Sequence, residues 1–432
     1  MNFDFVPIVS GALVTGLLLL GGCGVTGGLP DNKHLGSILN NDATNIMYAG
    51  TGKNMTADEY RKGVGHLLDA KPGVLAQSIG QPDPVFYRSK IATSFSKYVG
   101  PIHPNNRAVP ALIALAEQDT DPLALTVEVC RARGVPVVAS FRMNAEDMGR
   151  HGLDTFDFAR ENPQFVIQIP GAPPRGCLDP AHPEVYAHRM AIFREVVENY
   201  DLDGIEFDFK RWIFMISEPQ KNHVILTRMV RETRAMLDEV ARRKGKKRML
   251  LGVRVEAMVS GGLEQQEFPG AHGPPWNRSC EASGLDIRTW IDEELVDYVC
   301  PAFFWPKWPA VPRTAEFAEL VKGKDVGIYP TIFPAPNWQE DGTLIEPEDE
   351  ALMRRFKNEL CDMGLRCYRD GADGLSSFNW LPHHQKGMVP DPMRSKIWGQ
   401  GQLQLQMTIH GLMRDRLALE AYRASSTLLP AQ

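Results

Sequence analysis

The 432-residue chain carries no excess of positive charge: 47 Lys and Arg stand against 53 Asp and Glu, a net charge of −6. A protein that works mainly on nucleic acid presents a basic patch, so this balance argues against nucleic acid as a partner. No G-x-G-x-x-G follows a predicted strand and no Walker sequence occurs, which removes support for a nucleotide fold. H-E-x-x-H, EF-hand and G-x-S-x-G patterns are missing as well, and the cysteine spacings match no zinc site. Nothing in the pattern calls for a metal or a cofactor. No repeat of 20–50 residues is visible, which excludes solenoids and propellers.

Long apolar runs are also scarce. The one membrane-like stretch is Val6 to Gly22, ending at Cys23. It is short for a spanning helix and fits the apolar core of a signal peptide. Leu20-Gly21-Gly22-Cys23 resembles a bacterial lipobox, with Cys23 the lipidated residue. Met1 to Phe5 holds no Lys or Arg and carries Asp4, a departure from the usual signal that leaves a plain N-terminal anchor helix as the alternative. Residue 24 is Gly rather than Asp, so no inner-membrane retention signal follows. The expectation is an exported lipoprotein, in the periplasm or on the surface of a bacterium, held to the membrane by its N-terminal lipid. Of the other cysteines, Cys130, Cys300 and Cys361 lie in apolar contexts and read as core residues. Cys177 and Cys280 lie in Gly/Pro-rich loops, where export would permit a disulfide.

What is present is ordinary globular composition with many loops: 43% hydrophobic, 23% charged, 38 Gly and 32 Pro. From residue 44 a rhythm of short apolar runs and helical segments sets in. Predicted strands cover 45–49, 73–79, 135–142, 204–209, 249–256, 296–304, 326–330 and 374–380. Helices are predicted between them, with caps at Thr56 and at Asp121-Pro122 and a stop at Gly134. Eight strands alternating with helices predict a (β/α)8 TIM barrel of the α/β class over 44–380. An open doubly wound sheet is the alternative. The barrel is preceded by a signal peptide, 1–23, and a tether, 24–43. A C-terminal extension, 381–432, holds a helix over 403–422.

The chain is organised around Tyr200 to Trp212, YDLDGIEFDFKRW. It turns on Asp203-Gly204 into the fourth strand. Strand side chains alternate, so Glu206 and Asp208 share one face while Ile205, Phe207 and Phe209 share the other. In such barrels the C-terminal strand ends build the site. Those ends supply Arg142, Asp208 with Arg211 beyond it, Arg254 and Glu256, Trp305, Tyr329, Asn379 and Trp380. Carboxylates, arginines and indoles on one face suit a carbohydrate, whose rings stack on aromatics while its hydroxyls pair with polar groups. Hydrolysis of a glycosidic bond needs two carboxyl groups. Asp208 and Glu256 end adjacent strands, which predicts a separation of about 5–9 Å. Glu206 lies deeper, and serves either as a second catalytic acid or as the acid that holds Arg142 or Arg254. The basic run Arg242 to Arg248 belongs to the opposite end of the barrel and reads as a solvated helix terminus.

Asp203-Gly204-Ile205-Glu206-Phe207-Asp208, with Tyr200 before and Arg211 after, resembles the fourth-strand motif of the family 10-like glycosyl hydrolases, TIM-barrel proteins of bacterial exported type. The Asp-Gly-x-x-x-Asp core is also similar to the α-amylase clan and to chitinase-like barrels. In the amylase pattern the last Asp is the nucleophile and a Glu ending the fifth strand is the acid/base, which implies Asp208 and Glu256. That pattern has an Arg two residues before the nucleophile, where this chain has Glu206. The chitinase pattern has a Glu two residues after the last Asp, where this chain has Lys210. The resemblance implies a glycoside hydrolase acting on a poly- or oligosaccharide. Arg142, Arg211, Arg254 and Asn379 would then bind hydroxyls or an acidic substituent, and Trp305, Tyr329 and Trp380 would form stacking walls. A non-catalytic carbohydrate-binding lipoprotein on a degenerate barrel is the alternative, and a scaffold for envelope partners the third.

Overall fold

In the computed structural model a ring of parallel strands is wrapped by helices, described over residues 31–80, 84–97, 107–143, 157–167, 177–210, 215–262, 278–303, 310–332, 350–378 and 400–428. The strands are β1 Ser37–Asn41, β2 Val74–Ser78, β3 Val137–Arg142, β4 Gly204–Asp208, β5 Leu250–Glu256, β6 Tyr298–Ala302, β7 Gly327–Ile328, β8 Thr331–Ile332 and β9 Leu375–Phe378. They run in the order β7-β6-β5-β4-β3-β2-β1-β9-β8. The two ends of that order, β7 and β8, are separated in the chain only by Tyr329-Pro330. β7 pairs with β6 and β8 with β9, so they are halves of one interrupted seventh strand, and the sheet closes into an eight-stranded (β/α)8 barrel. Proline has no N–H to give to a ladder; the Pro330 carbonyl still accepts from the Ser376 N–H at 2.9 Å.

The predicted caps at Thr56 and Asp121 and the predicted stop at Gly134 are all found in the outer helices. Thr56 Oγ1 accepts from the Glu59 N–H ahead of helix Ala57–Leu68. Asp121 caps helix Pro122–Arg133, which stops at Gly134 in the left-handed region at φ 65°. Helix Pro183–Asn199 delivers β4, and helix Pro219–Arg243 leads towards β5. Outward-facing strand residues such as Ile205, Phe207, Val253 and Val255 pack under these helices in the main core. Inward-facing Ile38, Val74, Ala76, Val138, Leu250, Tyr298 and Cys300 fill the lower barrel. Above them the interior turns polar.

Two expectations are corrected. Residues 45–49 are not the first strand but lie in helix Thr44–Ala49. The first strand is Ser37–Asn41, inside the segment read as a tether, so the barrel begins there. Its Asn40 and Asn41 suggested solvent, yet both are buried on distant partners: Asn40 Nδ2 donates to Glu206 Oε1 at 2.5 Å and Asn41 Nδ2 to Gln77 Oε1 at 2.9 Å. The C-terminal helix is two helices, Gln400–Leu412 and Arg416–Ala424. They pack on the barrel through Leu405, Ile409, Met413 and Leu419, and His410 Nδ1 lies 2.9 Å from Ser377 Oγ on β9. Signal residues 1–23, with Cys23, lie outside the described residues.

Candidate active site

Close backbone approaches set up the site. A Cβ on Gly204 would lie 2.0 Å from the Leu250 carbonyl oxygen, so only glycine lets β4 sit this near β5. From Gly204 every second residue points inward: Glu206, then Asp208, then Lys210 just past the strand. All three are buried.

Glu206 is held by neutral donors. Oε1 accepts from Asn40 Nδ2 and from Ser140 Oγ at 2.8 Å, and Oε2 accepts from the Tyr298 hydroxyl at 3.1 Å. The strand register shows how Tyr298 reaches across. Glu206 pairs with Gly252 and Gly252 with Tyr298. A Cβ on Gly252 would fall 1.9 Å from the Tyr298 ring, so the missing side chain is the passage for the phenol.

One register step towards the mouth, Arg142, Asp208 and Arg254 stand side by side on β3, β4 and β5. Arg254 Nη1 donates to both Asp208 oxygens, at 2.9 and 3.0 Å, and its guanidinium lies 4.0 Å from the centre of the Phe378 ring. Arg142 Nη2 pairs with Asp42 Oδ1 at 2.5 Å. Neither arginine bonds Glu206, so the expectation that Glu206 holds one of them gives way to Asp208 and Asp42 in that role. At the rim Glu256 pairs with the Lys210 ammonium and accepts from Ser283 Oγ at 3.2 Å. The Lys210 backbone N–H donates to Asp208 Oδ1 at 2.9 Å.

Burial perturbs three of these groups. It pushes the Glu206 carboxyl up to about 7, aided by the neighbouring Asp208 charge and opposed by Ser140, Arg254 and Tyr298. It also raises Glu256 and lowers Lys210, while the contact between the two opposes both shifts. Around Glu206 the acids Asp42, Asp208 and Glu256 pair with the basic side chains Arg142, Arg254 and Lys210. Perturbed carboxyls in a barrel mouth are the setting for acid–base chemistry. Among the described residues no three His, Cys, Asp or Glu are grouped to hold a metal ion.

The structure thus brings Glu206, Asp208, Glu256, Arg142 and Arg254 together. Arg211, Trp305, Asn379 and Trp380 fall outside the described residues. Tyr329 is a correction: it points to the opposite end, where its hydroxyl donates to the Asn32 carbonyl at 2.6 Å and accepts from the Leu35 N–H at 3.0 Å. A fully buried ring plugging the barrel floor offers no stacking wall. Arg142 and Arg254, expected on the substrate, are occupied by acids. Cys177 and Cys280 are both buried and form no disulfide with each other. Sequence reasoning missed Asn40, Asp42, Ser140, Lys210, Ser283 and Tyr298. Inward parity along β3 and β4 was the available signal for Ser140 and Lys210.

The model of the family described as glycosyl hydrolase-like 10 matches residues 111–331. Glycosyl hydrolase DigH of Escherichia coli O6:H1 is 25% identical over 146 residues, 31% of this chain and 32% of that protein. The chain therefore spans about a third of that curated relative's length. Among solved structures, alpha-L-fucosidase isoenzyme 2 from Paenibacillus thiaminolyticus superposes with a TM-score of 0.44 at 13% identity, covering 90% of this chain and 50% of that one. The PgaB (BpsB) glycoside hydrolase domain from Bordetella bronchiseptica gives 0.42 at 12% identity, covering 86% and 98%.

Proposed function

The chain belongs to the glycosyl hydrolase-like 10 family, and we propose that it hydrolyses glycosidic bonds of a poly- or oligosaccharide with Asp208 and Glu256 as its carboxylate pair. One observation carries the reading: two inward carboxylates end adjacent strands at the C-terminal mouth, and Lys210 ties to both. Burial raises the proton affinity of Glu256, which suits the acid that protonates the leaving oxygen. Asp208, oriented by Arg254, then attacks the anomeric carbon or activates water. Glu206 sits one register step below and supports the pair from beneath. Arg211, Trp305, Asn379 and Trp380 follow strand ends in the sequence and are the proposed sugar-binding side chains.

A second reading, carbohydrate binding without catalysis, is favoured by the burial of both carboxylates, each 1% exposed and each in an ion pair. A glycan panel separates the two. Hydrolysis predicts reducing ends released by the wild type and lost in Asp208→Asn and Glu256→Gln. Binding without release in all three sinks the catalytic reading.

Export and lipidation at Cys23 belong to the same proposal. Asn32 is pinned to Asp297 Oδ1 and to the Asp325 carbonyl at the barrel floor, so an anchor at Cys23 would join the end opposite the mouth. Metabolic labelling with palmitate, lost in Cys23→Ser, is the expected result; label retained in that variant contradicts it.

A further inference from the structure

We propose that Lys210 is the positioning residue of the site, a single residue that sets the spacing of the two carboxylates and, through its ammonium, the charge state of Glu256. The proposal rests on the reading of Asp208 and Glu256 as the catalytic pair. Lys210 stands two residues past Asp208, on the inward parity of β4, where its backbone N–H holds Asp208 Oδ1 at 2.9 Å. Its side chain turns across to β5 and meets Glu256 Oε2, with both partners nearly sealed from solvent. One residue therefore clamps one carboxylate by its main chain and the other by its side chain. Arg254, by contrast, touches only Asp208 of the two.

The physical consequence follows from what surrounds the ammonium. Glu256 on β5 attracts its charge, Arg254 on β5 repels it, Cys280 in the segment after β5 lies close by, and burial disfavours the charge outright. Asp208 is joined through the backbone. A buried cation so placed favours the ionised form of Glu256. Removing the ammonium leaves burial of Glu256 opposed only by the hydrogen bonds from Ser283 and the Arg278 backbone, and raises its proton affinity further. If Glu256 is the acid, the alkaline limb of activity, where the acid loses its proton, moves to higher pH. A merely structural lysine would lower activity at every pH alike.

The test uses the full chain as wild type, Lys210→Met, Glu256→Gln and the double variant. Each single variant leaves an unpaired buried group and is expected to lower the unfolding midpoint by about 5–10 °C. The double variant should lose less than the sum of the two. On a glycan the wild type cleaves, Lys210→Met should shift the alkaline limb upward by about one pH unit or more. Additive midpoints, or a limb that stays in place while the rate falls uniformly, overturn the proposal. If the wild type cleaves no glycan while the midpoints remain non-additive, the clamp stands and the hydrolase reading fails.

Discussion

The two ends of the barrel both bury aspartates, and they use them differently. At the N-terminal end one device recurs before three alternate strand positions. Asp203 precedes β4 and accepts the Val137 N–H of β3 at 2.8 Å. Asp297 precedes β6 and accepts the Leu251 N–H of β5 at 2.7 Å. Asp373 precedes β9 and accepts the Ile328 N–H of β7 at 2.9 Å. Each acid closes the ladder of the neighbouring strand. Arginines then add further donors: Arg131 on Asp203, and Arg234 and Arg248 on Asp297. At the C-terminal end Asp208 and Glu256 are met by side-chain cations, by the Ser283 hydroxyl and by the Lys210 backbone N–H. The lower acids hold the sheet in register. At the upper end the acids pair with Arg254 and Lys210 around the barrel mouth, and burial raises the proton affinity of Glu256.

The largest expected effect is on activity. Asp208→Asn should lower glycan hydrolysis by about 10²–10⁴-fold, whereas Asp373→Asn should leave the rate per folded molecule within about twofold. Initial rates on matched folded protein decide this, and equal losses at both ends would erase the distinction. Next comes stability. Asp297→Ala leaves the Leu251 N–H without its acceptor and takes a partner from Asn32, Arg234 and Arg248, and should cost about 3–5 kcal/mol in denaturant unfolding.

Glu206 gives the third effect, with a definite sign. Its folded-state value is raised to about 7 from 4.5, so the folded state binds more protons between those values. Stability from this group is fully present below about pH 4.5 and is lost as pH rises to about 7, on the order of 3 kcal/mol in all. Unfolding curves at pH 5 and pH 8 should show that loss in the wild type and little of it in Glu206→Gln. The smallest is Gly252→Ala, whose Cβ meets the Tyr298 ring and should cost about 1–3 kcal/mol. Restoring space with Tyr298→Phe should recover part of it.

Much of this was legible in the sequence where local signals were strong. The alternation in GIEFD, the Asp121 cap and the Gly134 stop placed β4 and its neighbours. The first strand was not, because SILNN reads as polar chain until Asn40 finds Glu206, 166 residues away. Nor was the break in the seventh strand, which only the pairing of its halves with β6 and β9 reveals. The candidate acids Asp208 and Glu256 end β4 and β5, as the alternation along those strands predicts. Their partners were not legible, because an ion pair such as Lys210 with Glu256 depends on which strands are neighbours in space. Tyr329 went astray for a related reason: a residue after a strand usually faces the mouth, but here space beside Gly327 and Gly374 lets the ring fold down to the floor.

In the proposed reaction Glu256 gives a proton to the leaving oxygen while Asp208 acts at the anomeric carbon. The most direct measurement compares Glu256→Gln on a natural glycan and on an aryl glycoside of the same sugar, whose leaving group needs no proton. The expected result is a loss of about 10²–10⁴-fold on the glycan and a bond-cleavage rate within about tenfold of the wild type on the aryl glycoside. Equal losses on both substrates, or no loss on either, would contradict it.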